Sequence, residues 1–101
     1  MLRKYEGPNE MCFNPNRVKK IKKRLSRGNE TYCCVFCGEE FLTSMLTIDH
    51  IIPKSKNGSN NINNLVLACR ECNEGRDVAS FMEYRMWKAG VLLRKPEGAR
   101  R

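Results

Sequence analysis

Two Cys-x-x-Cys knuckles, Cys34-Val35-Phe36-Cys37 and Cys69-Arg70-Glu71-Cys72, constrain this chain more than any other feature. Four thiolates at that spacing suit one tetrahedral zinc ion, which would draw the residues between Cys37 and Cys69 into a closed module. Such a brace matters at this size, because 101 residues fit a single domain with a modest core. Four bound thiolates leave no open position for water, so the expected zinc is structural. Six cysteines would also permit a disulfide framework. The paired knuckle spacing argues against one, as does the lack of an apolar signal-peptide core in Met1 to Asn9, and the expected setting is cytoplasmic. Cys33 competes with Cys34 through the wider Cys33-x3-Cys37 gap. The two-residue gap and the following Gly38 favour Cys34, since a tight turn aims backbone N–H groups at the thiolates. Cys12 has no evident partner.

The charge narrows the partners. Nineteen Lys and Arg against eleven Asp and Glu give a net charge of +8. That balance favours polyanions, nucleic acid before anionic membrane. No run of about 18 apolar residues is present, so no helix is expected to span a bilayer. Much of the charge lies on one predicted helix. Asn14-Pro15 reads as an N-cap followed by proline at the first helical position. Val18, Ile21 and Leu25 follow at helical spacing, and Gly28 is the expected stop. Arg17, Lys19, Lys20, Lys22, Lys23, Arg24 and Arg27 fill the rest, without an acid among them. The apolar stripe would dock on the domain and leave a basic face for phosphates, although such faces are often only solvated. Lys54, Lys56, Arg70 and Arg76 are further expected DNA contacts.

The remaining pattern predicts short elements. Thr31 to Leu42 reads as a hairpin around the first knuckle. Met45 to Ile52 reads as a strand, with Leu46, Ile48 and Ile52 on one face and Thr47 on the other. Pro53 ends it. Lys54 to Asn63 is a polar loop turning at Asn57-Gly58, and Leu65-Val66-Leu67 is a second strand. A short helix after the second knuckle would carry Asn73. A last helix runs from about Val78 or Phe81 to Ala89, capped by Asp77 or by Ser80 with Glu83. Val78, Phe81, Met82, Arg85, Met86 and Ala89 follow its helical spacing and are mostly apolar, and Phe81, Met86 and Trp87 are read as packing residues. The fold class is small α+β. Residues 1–13 form an irregular arm, residues 14–93 one domain with its core near 30–77, and residues 94–101 a loose basic tail.

Between the knuckles stand Asp49-His50-Ile51-Ile52-Pro53, Asn64-Leu65 and, just after Cys72, Asn73; His50 is the only histidine in the chain. Singly, these read as a half-buried histidine, a turn acid and two capping amides. Their joint order resembles the HNH endonuclease family, in the form whose ββα-metal site is braced by a four-cysteine zinc. The resemblance covers roughly residues 30 to 77. It implies that His50 is the general base, that Asp49 is an acidic ligand of a catalytic divalent ion, and that Asn64 fixes the imidazole by hydrogen bonding. Asn73 matches a position that is often histidine. Its amide keeps an oxygen donor, which suits a hard ion such as Mg²⁺ or Mn²⁺. The resemblance further implies cutting or nicking of double-stranded DNA with 5′-phosphate and 3′-hydroxyl ends, and the compact layout resembles phage or mobile-element members.

The chemistry supports the same reading. A hard cation can neutralise a phosphodiester and its departing oxygen, and a neutral imidazole can take a proton from water. Asp49 and His50 are adjacent, so on a regular strand they face opposite sides; a kink or strand end before Pro53 is expected to bring both to one phosphate. The competing reading is a non-catalytic zinc ribbon that binds nucleic acid or docks on a larger DNA-processing complex. It accounts for the knuckles and the basic helix but not for Asp49-His50 with Asn64 and Asn73.

Overall fold

The computed structural model describes residues 13–100, so Cys12 and most of the expected arm lie outside the described residues. Helix α1 spans Pro15–Leu25. Asn14 caps it, its Oδ1 accepting from the Arg17 N–H at 2.8 Å. Ile21 is buried, and Val18 and Leu25 pack beside it. The helix closes at Gly28, whose N–H returns to the Lys23 carbonyl at 2.8 Å and whose φ of +79° suits glycine.

Strands β1 (Thr31–Cys33) and β2 (Glu40–Leu42) form the expected antiparallel hairpin around the first knuckle. Strands β3 (Thr47–His50) and β4 (Leu65–Ala68) form a second one, in register from Thr47 opposite Ala68 to His50 opposite Leu65. Helix α2 (Arg70–Arg76) follows β4 and packs against β3. Helix α3 covers Phe81–Lys88. The architecture is small α+β, with a ββα unit at its centre.

The core lies between this unit, α1 and α3. Leu46, Ile48, Leu65, Leu67, Ala68, Phe36, Ala79 and Tyr84 are its buried members. A fully buried Leu or Ile contributes roughly 1.5–3 kcal/mol relative to an exposed one. Phe36 is the hub: its ring centroid lies 5.4 Å from Phe81 and 5.1 Å from Tyr84, and Trp87 packs on Tyr84 at 5.5 Å.

Three segments depart from the sequence expectation. The strand expected over Met45 to Ile52 is shorter. Met45 ends a 3-10 turn, and Ile52 is 54% exposed because its backbone has left the ladder for the side chain of Asn64. On α3, Ser80 is the cap, and the face is rotated from the expected one. Tyr84 is buried between Phe81 and Trp87, whereas Met82 and Met86 are exposed. Aromatic packing against Phe36 outweighs the methionine pattern. The expected loose tail instead folds back. The Val78 N–H donates to the Gly98 carbonyl at 3.3 Å, and the Arg100 N–H to the Gly75 carbonyl at 2.7 Å. No helix among the described residues is long and apolar enough to cross a membrane.

Candidate active site

The two knuckles meet. The Sγ atoms of Cys34, Cys37, Cys69 and Cys72 all lie within 4.8 Å of one another, and Cys33 is left exposed on β1 outside the cluster. None of the five described cysteines forms a disulfide. The N–H groups of Phe36 and Cys72 point at the sulfurs of Cys34 and Cys69, each at 3.4 Å. Zn–S bonds of about 2.3 Å would set sulfurs about 3.8 Å apart, within the spread of this cluster. Protons alone suit the cluster poorly. Hydrogen bonds from Cys69 and then Cys72 hold the Cys34 thiol far below its ordinary range. The same bond to Cys34 keeps Cys69 up at about 11, and Cys72 is raised as well. One thiolate thus opposes the next, and a bound dication would remove that opposition. The donor set fits zinc.

The seam between β3 and α2 gathers the polar residues. Thr47 and Asp49 lie two apart on one face of the strand, and Asn73 and Arg76 lie three apart on one face of the helix. Asn73 Nδ2 donates to Thr47 Oγ1 at 2.7 Å, and that hydroxyl donates to the Ala68 carbonyl at 2.9 Å. Arg76 Nη1 donates to Asp49 Oδ2 at 3.0 Å and to the His50 carbonyl at 2.6 Å. Its Nη2 donates to the Ile51 carbonyl at 2.8 Å and its Nε to the Ala79 carbonyl at 2.9 Å. The guanidinium also lies over the rings of Phe36 and Phe81. Arg76 is 1% exposed. This corrects the expectation that Arg76 touches DNA: it is an internal clamp. Burial pushes the Asp49 carboxyl above its ordinary range, against the pull of Arg76.

His50 ends β3 and is fully buried. Its Nε2 meets Asn60 Oδ1 at 2.9 Å, and the Phe13 ring lies nearly parallel to the imidazole with centroids 6.1 Å apart. Arg17 in turn lies over Phe13. The strand end expected before Pro53 is present, with the chain bending after His50. Asp49 and His50 still take partners from different elements, α2 for one and the loop for the other.

Asn64 departs from its expected contact. Its Oδ1 accepts from the Ile52 N–H at 2.9 Å, and its Nδ2 donates to the carbonyls of Ile52 at 3.1 Å and Ser59 at 2.8 Å. It braces the loop between β3 and β4, and Asn60, one residue beyond Ser59, is what meets the ring. Gly58 is essential to the same loop, since a Cβ there would lie 1.6 Å from the Ile52 carbonyl oxygen. Sequence reasoning missed Asn60 because it stands among several loop asparagines with no period to single it out. The burial of Arg76 did leave a signal, its three-residue spacing from Asn73.

The other basic residues of α1 stay near the surface, and Lys54, Lys56 and Arg70 are exposed. Some have local partners: Lys22 Nζ donates to the Ser44 carbonyl at 3.3 Å, and Arg70 pairs with Glu74 at 3.5 Å.

Comparison with known proteins agrees with this geometry. The profile of the HNH endonuclease family matches residues 34–77, which hold both knuckles, β3, β4 and α2. The chain is 37% identical over 49 residues to the CRISPR-associated endonuclease Cas9 of Corynebacterium diphtheriae, covering 48% of this chain and 4% of that protein. It is 37% identical over 91 residues to the CRISPR-associated endonuclease Cas9 of Actinomyces naeslundii, covering 72% of this chain and 8% of that protein. The chain therefore corresponds to less than a tenth of either relative. No solved structure matches it.

Proposed function

Because the chain carries a domain of the HNH endonuclease family, we propose that it is a divalent-metal-dependent DNA endonuclease or nicking enzyme with His50 as general base. The observation that carries this reading is the ββα unit itself: the end of β3, with Asp49 and His50, is fixed against the helix that bears Asn73, and the cysteine cluster braces both. Asp49 and Asn73 would hold the ion with hard oxygen donors from the two sides of the seam, a set that suits Mg²⁺ or Mn²⁺. Such an ion, when bound, neutralises the phosphate and the departing oxygen.

The chain's own residues do the rest. His50 takes a proton from the attacking water, a contribution worth about 10²–10⁴ in rate. Asn64 and Gly58 fix the loop beside it. Lys54 and Lys56 on that loop, with the basic face of α1, attract and position the DNA backbone without reading sequence. A zinc ion held by Cys34, Cys37, Cys69 and Cys72 would brace the scaffold.

One observation favours the alternative of a non-catalytic zinc-braced DNA-binding module: His50 is fully buried, with Phe13 stacked over it. Nicking of supercoiled plasmid by zinc-loaded protein decides between them, in EDTA, Mg²⁺ and Mn²⁺, beside a folded His50→Ala control. Metal-dependent nicking lost in the control is expected. Salt-sensitive DNA binding with no nicking under any ion would establish the binding module instead.

A further inference from the structure

The basic residues of α1 are not equivalent once the helix is in place. Helix α1 runs back along β3. Its first turn lies by His50 at the strand's end, where Phe13 stacks on the imidazole and the Arg17 guanidinium stands 5.8 Å from the Phe13 centroid. Further along, Lys22 reaches the Ser44 carbonyl, just before the strand begins. With 3.6 residues per turn, Arg17, Lys20 and Arg24 fall within about 60° of one another. They form one row along the helix, all three exposed, and the row starts at the candidate active site. Lys22 lies off that row and is spent on Ser44.

The row is built of like charges. Arg17 with Lys20 and Lys20 with Arg24 are three and four residues apart, spacings at which equal charges oppose each other on a helix. No acid stands on α1 to relieve them. A polyanion laid along the row would do so. Arg17 to Arg24 spans about 10 Å of helix. Phosphates of one DNA strand rise about 3.4 Å each, so the row matches roughly three steps. The basic residues beyond His50 are arranged differently. The loop that carries Lys54 and Lys56 turns back on itself, with the Gly58 N–H returning to the Pro53 carbonyl at 2.9 Å. Its Asn60 comes back to the imidazole. That charge stays beside His50, whereas the α1 row leads away from it. We propose that Arg17, Lys20 and Arg24 form a backbone track for one arm of a DNA duplex. The bound duplex then extends further from the scissile phosphate on the α1 side than on the loop side. The proposal deepens the nuclease reading, and its reference to a cut rests on that reading.

Two measurements on the zinc-loaded full chain test this. The first reads binding to a labelled duplex by anisotropy across salt concentrations, without Mg²⁺. Lys20→Gln with Arg24→Gln removes two charges from the row. Arg85→Gln with Lys88→Gln removes two from α3, where both residues share surface cavities with Cys37 at the knuckles. None of the four is buried, and glutamine suits a helix about as well as lysine or arginine, so both variants should fold. The row variant should flatten the dependence of log K on log salt by about 2, one for each lost phosphate contact, and the α3 variant by less than half as much. Equal flattening in the two, or none in the row variant, would overturn the track. The second measurement maps nicks made in Mg²⁺ and then trims the duplex from either side of a mapped nick. On one side cleavage should be lost once the end comes within about three base pairs, the reach of the row, and on the other closer trimming should be tolerated. The row variant should lessen that difference. Equal tolerance on both sides would overturn the asymmetry. Because the first measurement needs no cleavage, the two failures separate. Protein with the expected salt slopes that never nicks overturns the nuclease reading and upholds the track, and protein that nicks with equal slopes overturns the track alone.

Discussion

Arg76 Nη1 and Asp49 Oδ2 stand 3.0 Å apart, and both side chains are almost wholly withdrawn from solvent. A buried pair of this kind is weak evidence for stability, but removing one partner strands the other. Arg76→Met should therefore cost roughly 3–5 kcal/mol in urea unfolding. The double variant Asp49→Leu with Arg76→Met should recover only part of the loss. Three carbonyls, those of His50, Ile51 and Ala79, would still lack the donor they have now. Full recovery would show that the ion pair, and not the clamp on the strand end, is what Arg76 supplies.

The Asp49 carboxyl is raised by burial, and a dication binds only its ionised form. Apparent Mg²⁺ affinity should fall as pH is lowered, and the fall should begin above the ordinary Asp range of about 3.9. Raising Mg²⁺ should move that limb to lower pH, since metal and proton compete for one site. Titration calorimetry across pH in the presence of DNA reads this directly. An affinity that stays flat down to pH 4 would remove Asp49 from the ligand set.

Cys33 and Cys34 are neighbours with different fates. Cys34→Ser should lose zinc and cooperative folding, because it removes one of the four clustered sulfurs. Cys33→Ser should retain one zinc per chain and leave the melting temperature within a few degrees, since Cys33 is exposed and outside the cluster. Metal content and thermal unfolding measured together distinguish the two. Zinc retained in Cys34→Ser and lost in Cys33→Ser would exchange their roles.

Phe13 covers His50. In wild type the buried imidazole should react slowly with diethyl pyrocarbonate, and Phe13→Ala should accelerate carbethoxylation several-fold while costing about 1–3 kcal/mol of stability. The single histidine makes the absorbance change specific. Equal rates in the two proteins would place the shield elsewhere.

Legibility in the sequence followed how local the cause was. The α1 cap at Asn14-Pro15, the knuckles and the Asn57-Gly58 turn are written in adjacent residues, and each lies where the sequence put it. The choice of Cys34 over Cys33 also followed from turn geometry. What escaped depends on contacts between distant segments. Arg76 reads as a surface cation until β3 is laid against α2. Asn60 has no partner until Asn64 folds the loop onto Ile52. The α3 face was misjudged because Met82 and Met86 match a helical period as well as Phe81, Tyr84 and Trp87 do. Only Phe36, which lies 45 residues before Phe81, selects the aromatic side.

The pairing of β3 with β4 covers four residues on each strand, yet it apportions the chemistry. Thr47 and Asp49 go to the helix, and Ile48 and His50 go elsewhere, by strict alternation. A shift of pairing by one residue reverses every side chain. Asp49 would then be aimed away from Arg76 and Asn73, and His50 would be driven toward them. The hairpin therefore has no intermediate degrees of misalignment: it is either in phase or inverted. The stretch from Ile51 to Asn64, although polar and loop-like, behaves as a spacer of set length. The turn at Gly38 joins β1 and β2 under the same parity, so single-residue insertions should be poorly tolerated at either place.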